Sequence, residues 1–125
     1  MPDYVRVATG GASSALNQNN GYCPVFISET HNYYYLRRNF GGGSLNMMKT
    51  SDPRTVSWTE QDAAGNPGEG ANVGSAKCFR HPDSQIIHVI YQYTIIGPTD
   101  DEYRYAQFNM ATDNWDIANE TALAF

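Results

Sequence analysis

Eight short runs of strand-forming residues, each cut off by a turn signal, fall into two sets of four along this chain. In the first set the runs are Tyr22–Ser28, Tyr33–Arg38, Ser44–Lys49 and Val56–Glu60. In the second they are Val73–Phe79, Gln85–Tyr93, Glu102–Met110 and Trp115–Ala118. Gly41-Gly42-Gly43, Asn66-Pro67-Gly68, His81-Pro82-Asp83-Ser84 and Gly97-Pro98-Thr99-Asp100 supply turn chemistry between them. The two sets also match residue by residue. Cys23 pairs with Cys78, Tyr34 and Leu36 with Val89 and Tyr91, and Met47 with Phe108. Thr50-Ser51-Asp52 pairs with Ala111-Thr112-Asp113, and a Trp follows each Asp, at 58 and 115. A repeated unit of four short strands predicts an all-β chain of two four-stranded antiparallel blades.

Composition agrees with that class. Hydrophobic residues are 41% of the 125, aromatics 13% with nine Tyr, and eleven Gly and six Pro provide breaks. No sustained 3.6-residue period appears, and Ile117–Phe125 has room for at most one helical turn. The expected organisation is an N-terminal strand (Tyr4–Ala8) and polar loop over 1–20, blade one over 21–62, and blade two with a C-terminal tail over 63–125.

Charge narrows the partners. The net charge is −5, and the only adjacent cations are Arg37-Arg38, so no basic stripe is available to neutralise a phosphate backbone. Nucleic-acid binding is not expected. No window of 18 apolar residues predicts a membrane span, and Met1-Pro2-Asp3-Tyr4 does not open a signal peptide. Two cysteines are too few for a disulfide scaffold and too far apart for a CxxC metal site, so both are read as free thiols packed as small apolar residues.

The paired corners resemble the Asp-box of sialidase-like, BNR-type β-propellers. Thr50–Glu60 resembles its S-x-D-x-G-x-T-W hairpin, without the Gly and with one extra residue between Asp52 and Trp58, and Asp113-Asn114-Trp115 resembles a shortened copy. The resemblance spans about residues 21–118 and implies four-stranded blades set around an axis. It makes Ser51, Asp52, Trp58, Asp113 and Trp115 structural, with each Asp holding turn N–H groups and each Trp packed between blades. Propellers have about four to eight blades. A two-blade chain is therefore expected to self-associate, for example three copies giving six blades, or to join a larger assembly such as a virion or extracellular filament.

Catalytic chemistry is not legible. Arg6, Arg37, Arg38, Arg54, Arg80 and Arg104 match no arginine-triad motif, and Glu29, Glu60, Asp62, Glu69 and Asp100-Asp101-Glu102 are glycosidase candidates by residue type alone. His31, His81 and His88 lack zinc spacing, and no nucleophile elbow, phosphate loop or dinucleotide fingerprint is present. No catalytic residue, metal or cofactor is expected. Aromatic side chains carry the binding signal: Tyr34, Trp58, Tyr105 and Trp115 are the expected platforms for a sugar or protein partner. The leading expectation is a non-enzymatic, self-associating structural module. A propeller lectin binding carbohydrate and a fragment of a sialidase-like hydrolase are the alternatives.

Overall fold

The computed structural model describes residues 24–39, 44–54, 57–68, 72–94 and 101–124. The Tyr4–Ala8 strand, the loop after it, Cys23, Gly41–Gly43 and Gly97–Asp100 lie outside these residues. Two four-stranded antiparallel sheets make up the fold. Sheet one has the order β1 (Phe26–Ile27), β2 (Tyr33–Asn39), β3 (Ser44–Thr50), β4 (Thr59–Gln61). Sheet two has the order β5 (Asn72–Arg80), β6 (Ile86–Thr94), β7 (Asp101–Asn109), β8 (Asn114–Ala124). Each strand pairs with its sequence neighbours, as hairpin connections favour. A 3-10 turn, Ala63–Gly65, leads from the first sheet towards the second.

Alternation decides which side chains enter the core. In sheet one, Phe26 pairs with Tyr34 and Leu36 with Met47, and all four are buried. In sheet two, Cys78 pairs with Val89, and Ile87 with Phe108. These residues join Leu45, Val73, Ala76, Tyr91, Ala106, Met110 and Trp115 in one cluster, so the sheets pack face to face around a single core. The Tyr34 and Phe108 rings meet across it at 5.7 Å, and Trp115 sets its edge against Phe108 at 5.2 Å.

The positions matched by the repeat thus face each other: Tyr34, Leu36 and Met47 on one side, Val89, Tyr91 and Phe108 on the other. Like faces meet. Successive blades rotated about an axis would instead set unlike faces together, so any third sheet has to add to an outer face.

Three strand expectations need correction. The first strand is not Tyr22–Ser28 but only Phe26–Ile27, with Pro24, Val25 and Ser28 outside it. The last strand is not the short Trp115–Ala118 but the eleven-residue Asn114–Ala124, so the C-terminal stretch is strand and not a helical turn. Register shifts between Tyr103 and Phe108 absorb its irregular pattern, which is why simple alternation did not show its length. Conversely, β4 begins only at Thr59, which leaves Ser57 and Trp58 outside the strand.

Candidate functional site

The Asp corners differ in what they hold. Asp52 closes its own turn: its Oδ1 accepts the Arg54 backbone N–H at 2.9 Å and the Arg54 guanidinium at 3.2 Å. Ser51 is exposed beside it, and Trp58 is half-buried. Asp113 instead ties the sheets together. It adopts the left-handed region at φ 59°, one of the conformations Asp tolerates, at the end of a turn that Asn109 closes through its side chain and carbonyl. Its Oδ1 accepts the Tyr34 hydroxyl at 2.6 Å and its Oδ2 accepts Lys49 Nζ at 2.6 Å. Lys49 also lies over the Tyr34 ring. Burial, and then Asp113, push the Tyr34 hydroxyl well above the ordinary tyrosine range.

Two of the four expected platforms are therefore unavailable. Tyr34 is 0% exposed and Trp115 is 8% exposed, because both fill the space between sheets. The sequence marks them as aromatic and strand-borne but does not show which face of each strand is covered. Trp58 is half-buried, and Tyr105 lies on the open side of sheet two.

That open side is where aromatic groups converge. Phe79 on β5 faces His88 on β6 in register, and their rings stack at 4.9 Å and 18°. His88 stacks in turn on Tyr105 of β7 at 5.9 Å and 23°. The Tyr105 hydroxyl lies 2.5 Å from His88 Nδ1 and accepts Gln107 Nε2 at 2.6 Å. Ile90, two residues beyond His88, and Tyr103, two before Tyr105, share this face by alternation. Phe79 is 56% exposed, Ile90 41% and Tyr103 40%. Three rings stacked across three strands cannot be read from spacing, since Phe79, His88 and Tyr105 are brought together only by the β5–β6 and β6–β7 registers.

The outer face of sheet one has a different character. Ser44, Asn46, Met48 and Thr50 on β3 are buried there. Glu60 accepts hydrogen bonds from the Asn46 and Asn66 side-chain amides, the latter at 2.8 Å, and Arg37 faces Asn46 in register. Arg37 Nε and the two amide oxygens are shut off from solvent, with no hydrogen-bond partner among the described residues.

Two of the candidate carboxylates, Asp62 and Glu102, have structural partners. Asp62 Oδ2 accepts the Trp115 backbone N–H at 2.8 Å, and Glu102 pairs with Arg104 at 3.0 Å. Cys78 is buried in the core. Among the described residues no group of three His, Cys, Asp or Glu is placed to hold a metal ion, and no helix is long and apolar enough to cross a membrane. No family model, curated protein or solved structure matches the chain.

Proposed function

We propose that this chain is a non-enzymatic module that self-associates through the outer face of sheet two. The stacked row Phe79–His88–Tyr105, in which Phe79 is exposed and the other two are half-buried, carries the reading together with the exposed Ile90 and Tyr103 beside it. Apolar surface of this kind, displayed together on one sheet, is what a protein contact removes from water. Four strands, three of nine residues and one of eleven, make a face about 30 Å by about 19 Å, roughly 570 Å², about two thirds of the ~800 Å² per partner in a standard interface.

The occupant is a second copy of the chain. Sheet one already covers the inner face of sheet two, and the opposite face of sheet one has a buried, polar β3. Among the described residues the exposed large apolar side chains are Val25 and Ile27 at the edge of sheet one and Phe79, Ile90 and Tyr103 on the outer face of sheet two, and a contact made once per chain through the latter face closes by two-fold pairing. A ring of three copies, or a filament in a virion or outside the cell, would need a second, unlike face.

A lectin is the weaker reading for a geometric reason. Sugars stack on ring faces, whereas the His88 ring has one face against Phe79 and the other against Tyr105. A glycan array showing specific binding that Tyr105→Ala abolishes would favour the lectin, and turnover of a fluorogenic sialoside would favour the hydrolase.

The decisive measurement is mass in solution across a concentration series. The expected species is a dimer of twice 13.9 kDa, and Phe79→Glu combined with Ile90→Lys is expected to leave a folded monomer. A wild-type chain that stays monomeric at every concentration, or a double variant that associates unchanged, overturns the proposal.

A further inference from the structure

Asn119-Glu120-Thr121 is the one N-x-S/T triplet in the sequence. We infer that Asn119 is the acceptor for an N-linked glycan, attached through its side-chain Nδ2. Such a triplet, with a residue other than Pro at its centre, is the pattern an oligosaccharyl transferase reads. The product is a bulky, solvated chain that only a surface position accommodates. The fold provides such a position in a specific way.

Asn119 lies in β8, an edge strand of sheet two, and is exposed. Tyr105 pairs with Glu120 and Gln107 with Ile117, so Ala118 and Asn119 together stand opposite the single residue Ala106. This is a bulge, and it takes the Asn119 side chain out of simple alternation. The two ends of the amide then differ. Its Oδ1 accepts the Tyr91 hydroxyl at 2.7 Å and the Gly68 backbone N–H at 2.9 Å, whereas Nδ2 has no hydrogen-bond partner among the described residues. Glycan attachment uses only Nδ2.

Transfer forms a bond between Nδ2 and the anomeric carbon of the first sugar. The bond from that carbon to the diphosphate of a lipid-linked oligosaccharide donor breaks, and the lipid diphosphate leaves with the electron pair. One of the two amide protons goes to a base of the transferase. The other N–H and the carbonyl stay, so Oδ1 keeps both of its donors after modification. No hydrogen bond between Asn119 and the described residues is lost.

The position also sets the consequence. Tyr91 is buried in the core, so its bond to Oδ1 places Asn119 on the core side of the sheet edge, away from the Phe79–His88–Tyr105 row. A glycan there leaves that row uncovered and obstructs the addition of a further strand to β8. Neither the acceptor nor its test depends on self-association.

The test sends the full chain, behind a cleavable secretion signal, through the secretory pathway of a eukaryotic cell. Protein from cells and medium together is read by intact mass and by peptide-N-glycosidase F, which releases the glycan and leaves an aspartate where it was attached. The expected result is one glycan per chain, mapped to position 119. Asn119→Ala would remove two hydrogen bonds along with the acceptor, so the triplet is broken at its third position instead. Thr121→Val keeps Asn119 and a β-branched strand residue, and is expected to carry no glycan. Thr121→Ser is expected to keep it. Circular dichroism of the wild-type chain before and after release of the glycan is expected to coincide. A wild-type chain without a glycan overturns the inference, as does a glycan that persists in Thr121→Val. A strand signal that appears only after the glycan is released also overturns it, by showing that the folded chain has no room for a substituent on Nδ2.

Discussion

The Tyr34 hydroxyl donates to the Asp113 carboxylate at 2.6 Å, joining β2 of one sheet to the β7–β8 turn of the other across 79 positions of sequence. The same hydroxyl lies 3.1 Å from the Met110 carbonyl, and Lys49 takes the second carboxylate oxygen. A phenol buried to 0% exposure is thus satisfied at the far rim of the core, and its ring packs on Phe108. The pairing fixes where one sheet sits on the other, which hydrophobic burial alone does not.

Tyr34→Phe keeps the ring and removes the hydroxyl. Loss of a hydrogen bond to a charged group is expected to cost about 1.5–3 kcal/mol, read as a lower denaturant midpoint at unchanged slope. A midpoint equal to wild type would show that the clamp carries no net stability.

The same hydroxyl sets an alkaline limit. Tyr34 and Tyr91 both have raised pKa values in the folded chain, each chiefly through burial. Their contribution is therefore complete below the unfolded tyrosine value of about 10, and it falls as pH rises from there towards the folded values. Two protons released first by the unfolded chain give a slope of about −2.7 kcal/mol per pH unit above pH 10, and Tyr34→Phe is expected to halve it. Urea titrations at a series of alkaline pH values measure both slopes.

Asp62 and Gly65 form a second coupled pair. Asp62 sits at φ 48° and reaches the Trp115 backbone N–H, while a Cβ built on Gly65 would lie 2.5 Å from Asp62 Oδ2. Gly65→Ala is expected to displace that carboxylate and so to cost the Trp115 hydrogen bond, about 1–3 kcal/mol. Asp62→Ala removes the same bond by another route. In a double-mutant cycle the two losses should fall well short of additive; full additivity would mean that Gly65 acts through something other than Asp62.

The strand pattern was legible because alternation and turn residues are local: β2, β3, β5, β6 and β7 lie within a residue or two of their expected bounds. What stayed hidden depends on which face is covered and on register. Tyr34 and Tyr105 look alike as strand aromatics, yet one lies against Phe108 and the other stacks on His88 in the open. Asp52 and Asp113 match in the repeat, yet one closes its own turn and the other clamps the opposite sheet. Asp62 was visible only as an acidic residue in a loop, since its partner Trp115 is 53 positions away.

Phe108 and Phe79 separate core from surface. Phe108 is fully buried between Tyr34 and Trp115, so Phe108→Ala is expected to cost about 3–5 kcal/mol through lost packing and a residual cavity. Phe79→Ala removes a ring of similar size from an exposed position and is expected to cost the monomer under about 0.5 kcal/mol. Thermal unfolding of both variants at a concentration below self-association makes the comparison, and similar losses would mean that Phe79 is covered within the single chain.

Asn119 tests the unexpectedly long β8. Its Oδ1 accepts the Tyr91 hydroxyl at 2.7 Å and the Gly68 backbone N–H at 2.9 Å, so one side chain holds both the central strand of sheet two and the segment arriving from sheet one. Asn119→Ala leaves the Gly68 N–H without this acceptor, while Tyr91 retains the Ala118 carbonyl at 3.0 Å. The expected cost is about 1–3 kcal/mol, and it should be concentrated at Gly68. Amide hydrogen exchange provides the local readout: Gly68 should lose protection in Asn119→Ala by a larger factor than the Ile87 and Val89 amides in the middle of the sheet. Equal loss at all three sites would mean that the strand end stabilises the whole sheet and does not anchor that segment specifically.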